Sequence, residues 1–257
     1  MDTQESLQAF AAKIPGKFAA AVGFVEEQPV TLNPDEVFPA ASLIKVPILF
    51  YLLKERQAGK IDLNELSPLQ EKDKVGGSGI LLELHAGIPV TLMDLAILMI
   101  VVSDNTATNL LMDRLGTEEI QAWIESIGLS QTILARKMMI AGDNAPPANF
   151  TSAADMFLLY KQLSLGKLLN SQNTLVALDI LSRQQYNDKI PLLLPKGTKV
   201  AHKTGEISGV RHDCGIIIQG NRKYGLCLLT KEVSDEQQTD REMAELSLKL
   251  YERNLKA

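Results

Sequence analysis

Ser42 and Lys45 are the pair whose residue types and spacing most favour chemistry in this chain. They stand three positions apart at the start of the apolar stretch 46–53. On a helix, that spacing places the serine hydroxyl and the lysine amine on one face, within reach of each other. Burial of an apolar helix lowers a lysine pKa, and a neutral amine can take the proton of a serine. The pair therefore predicts a serine nucleophile, with a serine N-cap and a solvated lysine as the alternative.

Two further motifs follow in the chain. Ser103-Asp104-Asn105 comes at the end of the apolar run 95–102, and Lys203-Thr204-Gly205 lies on a predicted strand. Alone, the first is also a helix N-cap signal, and the second could be a strand ending in a turn. In this order, and at intervals of about sixty and a hundred residues, the three motifs resemble the set of the penicillin-recognising serine hydrolases, and of the class A β-lactamases in particular. The resemblance covers nearly the full chain.

The resemblance implies a role for each motif residue. Ser42 forms an acyl-enzyme, Lys45 is its base or proton relay, and Ser103 passes a proton to the leaving nitrogen. Lys203 supplies positive charge near Lys45 and near a substrate carboxylate. Asn105, Thr204, Gly205 and Arg211 are the implied substrate-binding residues. Asn105 would contact the amide side chain of the substrate, and Thr204 and Arg211 its carboxylate. The implied oxyanion hole consists of the backbone N–H groups of Ser42 and of Glu206, just past Gly205. The residues alone leave a surface ion pair open for Arg211.

The chain departs from the class A pattern in the irregular stretch 134–149. The resemblance implies a glutamate there that holds the water for deacylation, yet no glutamate occurs between Glu125 and Glu206. Asp143 is the carboxylate in that loop, one methylene shorter than a glutamate, and Glu206 could serve from the other side of the cleft. We therefore predict good acylation and slow deacylation.

The order of the predicted elements indicates the fold. A helix over 4–13 and strands over 18–25 and 29–32 precede a long block of helices, after which three strands and a helix over 234–253 end the chain. We predict an α+β sandwich, in which a five-stranded antiparallel sheet is flanked by the terminal helices and a large all-α subdomain is inserted. The α/β subdomain comprises 1–38 and 190–257, the helical one 39–189, and the catalytic cleft lies between them.

Composition and charge limit the partners. A chain of 257 residues with 46% hydrophobic residues and a net charge of −5 is an ordinary globular protein without a basic surface for nucleic acid or an anionic membrane. Acids stand near the N-terminus where a secretory signal has positive charge, and the run 95–102 is too short to span a bilayer. As written, the sequence predicts a cytoplasmic monomer, or an extracellular or cell-envelope protein if a leader preceded it.

Histidines and cysteines give no sign of a metal or a cofactor, and none is predicted. The histidines lack the spacing of metal ligands: His85, His202 and His212. Cys214 and Cys227 flank a predicted hairpin turn at Gly220-Asn221, which would place them opposite each other on adjacent strands. We expect two buried thiols, with a disulfide as the alternative.

Three functions fit these patterns. The first is a serine hydrolase of the class A β-lactamase type, which acts on small β-lactams or related amides and esters and so bears on antibiotic resistance. The second is a D-alanyl-D-alanine peptidase or esterase on the same site, against which the absence of an export signal counts. The third is a non-catalytic β-lactam or peptidoglycan sensor, which slow release after a rapid burst would favour.

Overall fold

The computed structural model describes residues 2–140 and 145–256, so the predicted base candidate Asp143 lies outside the described residues. Helix α1 (Thr3–Lys13) begins at a capping box between Asp2 and Glu5. Strands β1 (Lys17–Phe24) and β2 (Val30–Leu32) follow and pair antiparallel. These three elements agree with the sequence prediction to within one residue at nearly every end.

A five-stranded antiparallel sheet joins the two ends of the chain. Strands β5 (Lys199–Ile207), β6 (Val210–Gln219) and β7 (Arg222–Lys231) complete it in the order β2-β1-β7-β6-β5. The whole of β1 pairs with β7, so the first strands and the last ones belong to one sheet. Strand β5 lies at the edge and continues past Gly205 to Ile207, after which a turn at 208–209 leads into β6.

Helices fill the chain between β2 and β5. They are α2 (Lys45–Gln57), α3 (Leu92–Val101), α4 (Asn105–Leu115), α5 (Thr117–Ser126), α6 (Ala153–Ser164) and α7 (Ser171–Ser182). Two short strands, β3 (Phe38–Pro39) and β4 (Phe150–Thr151), pair with each other. The sequence did not predict them, because a two-residue strand has no measurable periodicity. They join the segment before Ser42 to the segment before α6.

Two hydrophobic cores lie on opposite faces of the sheet. Ala19 and Ala21 of β1 belong to the core toward the helical block, whereas Ala20 and Val22 belong to the core under α1 and the last helix, α8 (Glu236–Asn254). This alternation is the two-residue period of a strand covered on both faces. Terminal helices, sheet and inserted helices thus form the α+β layers that the sequence predicts. The subdomain boundaries stay a prediction.

Cys214 and Cys227 are cross-strand partners on β6 and β7. Both are buried and free, so the expectation of two thiols is confirmed. Within residues 2–140 and 145–256, no helix combines the length and the apolar character needed to cross a membrane.

Candidate active site

Ser42 lies on a 3-10 turn, Ala41–Ile44, that continues directly into α2. Ala41 has a φ of 45°, a left-handed conformation that costs energy for a residue with a side chain. The turn is anchored just before this residue, where the Ala40 N–H donates to the Asn149 carbonyl oxygen at 2.8 Å. A strained turn held by its surroundings therefore presents the serine at the start of the apolar helix.

Gly205 allows β5 to pack against this turn. A Cβ at this position would lie 3.2 Å from the Ala40 carbonyl oxygen and 3.2 Å from the side chain of Leu43. Both neighbours belong to the segment that carries Ser42, so a larger residue would push the edge strand away from the nucleophile.

The Ser103 hydroxyl connects the nucleophile to two lysines. Its Oγ donates to Ser42 Oγ at 2.9 Å and accepts from Lys45 Nζ and from Lys203 Nζ, each at 3.1 Å. Lys45 Nζ also donates to the Ser103 carbonyl oxygen at 2.6 Å and to Asn105 Oδ1 at 2.8 Å. Among the described residues no hydrogen bond joins Lys45 directly to Ser42, so the hydrogen-bonded route between them passes through Ser103.

Ser103 occupies the junction between α3 and α4, with a left-handed φ of 55°. Its neighbour Asp104 is the N-cap of α4, and its Oδ1 accepts from the Ala107 N–H at 2.8 Å. The other oxygen, Oδ2, accepts from the N–H groups of Ile80 and Leu81 at 2.7 and 2.9 Å. The N-cap interpretation is therefore correct for Asp104, and the cap fixes the turn that carries the Ser103 hydroxyl.

Burial lowers the pKa of both lysines. The pKa of Lys45 falls well below its ordinary value because its amine is desolvated and because the charge of Lys203 opposes it. Burial likewise lowers the pKa of Lys203 to about 7, although the carboxylates of Asp213 and Glu206 act in the opposite direction. The amine of Lys45 therefore becomes neutral more readily than that of an exposed lysine, while Lys203 retains part of its charge near neutral pH.

Two cavities meet at Ser42 and differ in polarity. The larger, of about 370 Å³, is bounded on its loop side by Met138, Met139 and Ile140. The smaller, of about 130 Å³, is lined by hydroxyl-bearing residues and one acid: Ser42, Ser78, Ser103, Tyr186, Thr204 and Glu206. Of the predicted substrate contacts, Asn105 lines the first cavity and Thr204 the second. The cleft therefore offers an apolar part and a polar part on either side of the serine.

Glu206 lines both cavities, and its carboxylate is held by a lysine that the sequence analysis missed. Glu206 Oε1 accepts from Lys189 Nζ at 2.5 Å, and the Lys189 side chain is fully buried. Burial lowers the pKa of Lys189, but the charges of Asp240, Glu206 and Asp188 together raise it above its ordinary value. Lys189 is therefore a cation at neutral pH, paired with acids on both sides of the sheet edge.

Arg211, like Gly205, is a predicted substrate-binding residue that lines neither cavity described here. Its guanidinium forms an ion pair with Glu236 of α8, and its Nε lies 3.5 Å from Asp240 Oδ2. Of the two interpretations of Arg211, the structure therefore shows the ion pair, because two acids of the last helix face the strand at this point. A role as a carboxylate clamp requires the side chain to leave them.

Two asparagines fix the loop that forms the apolar wall. Asn109 holds the backbone of Met138 from both sides, accepting its N–H at 2.7 Å and donating to its carbonyl oxygen at 3.1 Å. Asn149 Oδ1 likewise accepts from the N–H groups of Ala135 and Arg136 at 2.8 and 3.0 Å. Sequence analysis overlooked both. Asn109 follows Asn105 by four positions, and that same-face spacing could have identified it; Asn149 gives no such signal.

No group of three or more His, Cys, Asp or Glu side chains capable of holding a metal ion occurs in the part of the chain that the structure describes. The sequence prediction that the reaction uses no cofactor stays a prediction.

Fold and cleft together define a class of protein, the serine hydrolases that react through an acyl-enzyme. A comparison with known families matches residues 2–254 to the beta-lactamase enzyme family. The chain belongs to this family. It is a serine hydrolase of the class A β-lactamase type, as the three motifs indicate.

Individual relatives agree with this assignment along almost the full chain. Beta-lactamase Toho-1 of Escherichia coli is 28% identical over 247 residues, which cover 93% of this chain and 83% of the relative. The crystal structure of a beta-lactamase from Sphaerobacter thermophilus superposes with a TM-score of 0.92 at 29% identity and covers 98% of both chains. A variant of PBP-A, solved as an acyl-enzyme complex with penicillin G, has a TM-score of 0.89 at 27% identity and covers 99% of this chain and 96% of its own.

Proposed function

We propose that Ser42 forms an acyl-enzyme with β-lactams, or with related small amides and esters, and that this acyl-enzyme is released slowly. The observation that carries the proposal is the position of the Ser103 hydroxyl, in hydrogen-bond contact with Ser42 and with two buried lysines. It links the nucleophile to an amine whose pKa is lowered.

Acylation transfers one proton from the serine to the leaving nitrogen. Ser42 Oγ forms a bond with the carbonyl carbon of the substrate while its proton passes through the Ser103 hydroxyl to the neutral amine of Lys45. The C–N bond of the amide then breaks, and the nitrogen takes a proton from Ser103, which recovers one from the Lys45 ammonium. The products are a serine ester and a free amine, and both lysines return to their starting charge.

The edge position of β5 supports an oxyanion hole at this point. An edge strand has backbone N–H groups without a partner strand, and β5 packs closely against the turn of Ser42 through Gly205. The N–H groups of Ser42 and Glu206 would stabilise the tetrahedral oxyanion. Thr204 and Asn105 would orient the substrate from the walls of the two cavities, and the charge of Lys203 would act from behind Ser103.

Deacylation lacks an evident base. Hydrolysis of the serine ester requires a group that takes a proton from water next to the ester carbonyl. Among the described residues that line the two cavities, Glu206 is the sole carboxylate. Its Oε1 already accepts a hydrogen bond from the buried amine of Lys189 at 2.5 Å. Met138 occupies the opposite wall with an apolar side chain.

Small acyl donors are the substrates that we propose, and the apolar wall of the larger cavity suits a hydrophobic acyl side chain. The sequence predictions of a monomer and of its cellular location, and those of no nucleic-acid or membrane partner, stay predictions.

Stopped-flow absorbance and intact-protein mass with the chromogenic cephalosporin nitrocefin test the proposal. We expect a burst of one product per protein and a persistent adduct that disappears in Ser42→Ala. Ser126→Ala, which removes a serine hydroxyl bonded to the backbone of α5, is the matched control and should keep the adduct. Sustained fast turnover would refute slow release, and the absence of both burst and adduct would refute acylation by β-lactams.

A further inference from the structure

Carboxylates outnumber cations around the end of the cleft where Thr204 lies. Lys189 Nζ contacts three acids, Glu206 at 2.5 Å, Asp188 at 3.0 Å and Asp240 at 3.6 Å. Arg211 is paired with Asp240 and with Glu236. Two cations, Lys189 and Arg211, therefore face four carboxylates in this cluster.

Glu206 is the member of the cluster that reaches the cleft. Its side chain is 40% exposed, whereas that of its partner Lys189 is inaccessible to solvent. It follows Thr204 and Gly205 on β5, and it shares the smaller polar cavity with Ser42 and Thr204. A substrate group bound beside Thr204 therefore meets a carboxylate directly.

Lys203 is a further described cation at this end of the cleft, and the charge of Glu206 acts on it. It is fully buried and donates to Ser103 Oγ and to the Thr204 carbonyl oxygen. Its pKa of about 7 means that its charge is only partial at neutral pH. A substrate carboxylate beside Thr204 would lie near the partly charged amine of Lys203 and near the carboxylate of Glu206, which Lys189 holds in place. Like charges at short range repel strongly in a partly buried site.

We propose that Glu206, held in place by Lys189, determines specificity at this end of the cleft by selecting acyl donors that carry a neutral or positively charged group, rather than a carboxylate, beside Thr204. This inference rests on the proposed acylation of Ser42. The proposed substrates are amides and esters whose leaving group carries an uncharged amide, an ester or an amine beside Thr204. This selection also makes β-lactams, which carry a carboxylate on that side, weaker substrates than the Ser42 geometry alone would permit.

Nitrocefin and its methyl ester test this selection, because esterification removes the charge of that carboxyl group and adds one methyl group, which is the same for every variant. The measured quantity is the ratio of second-order acylation constants, acid over ester, obtained from burst kinetics and intact mass. We expect Glu206→Gln to raise the ratio at least about tenfold, the factor that corresponds to 1.4 kcal/mol of repulsion removed. Lys189→Gln should lower it, because the carboxylate then loses its counter-charge.

Two further variants keep the test decisive. Asp188→Asn removes an acid that is half exposed, so the protein should fold, and it should raise the ratio less than Glu206→Gln does. Glu252→Gln removes an equal charge from the last turn of α8, where Glu252 pairs with Lys256, and should leave the ratio within about twofold.

The outcomes separate the two proposals. If nitrocefin acylates Ser42 but the ratio in Glu206→Gln stays within about twofold of the wild-type value, the role of Glu206 is overturned and acylation stands. If the ratio rises equally in Glu252→Gln, net charge rather than Glu206 is responsible, and the role is again overturned. If neither compound leaves an adduct on any variant, the proposed function fails together with the selection.

Discussion

Replacing Lys203 with Met should stabilise the protein while abolishing acylation. Lys203 is fully buried, and burial lowers its pKa from the ordinary value of 10.5 to about 7. A difference of about 3.5 in pKa, at 1.36 kcal/mol per unit, means that holding the cation inside costs on the order of 5 kcal/mol. Methionine avoids that cost but loses the hydrogen bonds to Ser103 and Thr204, each worth about 1 kcal/mol net. We expect Lys203→Met to gain about 3 kcal/mol of unfolding free energy at pH 6.

The gain should shrink as the pH rises. The folded protein releases the Lys203 proton near pH 7, whereas the unfolded chain keeps it up to about pH 10.5. Between these values the unfolded state binds more protons, so wild-type stability increases by about 1.4 kcal/mol per pH unit relative to Lys203→Met. The free-energy cost of burying the Lys203 cation is fully present below pH 7. About 2 kcal/mol of this cost should be lost by pH 8.5.

Urea unfolding of the wild type and of Lys203→Met from pH 6 to pH 8.5 measures this difference. Lys199→Met, on the same strand but exposed, is the control and should follow the wild type at every pH. Nitrocefin burst amplitude reports the loss of acylation in the same preparations. If the unfolding free energies of the wild type and of Lys203→Met change in parallel with pH, the conclusion that Lys203 is a cation destabilised by burial is refuted.

Three further outcomes follow from the cleft. The second-order acylation constant of nitrocefin should fall above pH 7 more steeply than that of its methyl ester, because Lys203 loses its charge there; equal slopes would contradict this. Met138→Glu should convert the burst into repeated turnover, because it places a carboxylate on a fixed part of the loop wall, whereas Met139→Glu on the exposed neighbour should not. Gly205→Ala should cost about 1–3 kcal/mol and slow acylation, because its Cβ would crowd the serine turn. Gly76→Ala has open space at its Cβ, and equal effects in both variants would remove the packing argument.

Sequence patterns predicted most of the fold and the central part of the site. The apolar runs and N-caps predicted the helices. The order of the elements predicted that Ser42, Ser103 and Lys203 lie where the sheet meets the helical block, and hydrogen bonds join the three residues in the structure. Those patterns are local, and strand alternation and N-cap chemistry are encoded within a few residues. Spacing placed Lys45 within reach of Ser42, and the hydrogen bonds of the structure connect the two residues through Ser103.

Lys189 and Asn149 show why the remainder could not be predicted. Lys189 lies in a loop with no motif, and it becomes a partner of Glu206 only because the loop, β5 and α8 meet at one sheet edge. Asn149 anchors the serine turn across more than a hundred residues of chain. Such contacts depend on tertiary packing rather than on spacing, and the same is true of the ion pair between Arg211 and Glu236 of α8.

The two steps of the reaction place opposite demands on the charges of this cleft. Acylation needs a neutral Lys45, which burial and the nearby cation of Lys203 both favour. Deacylation needs a carboxylate that is free to take a proton from water, and the one that lines the described cavities is held by a hydrogen bond from Lys189. This ion pair fixes the side chain of Glu206 at the edge of the cleft. Glu206 is therefore better suited to choosing which acyl donor reaches Ser42 than to hydrolysing the ester that results.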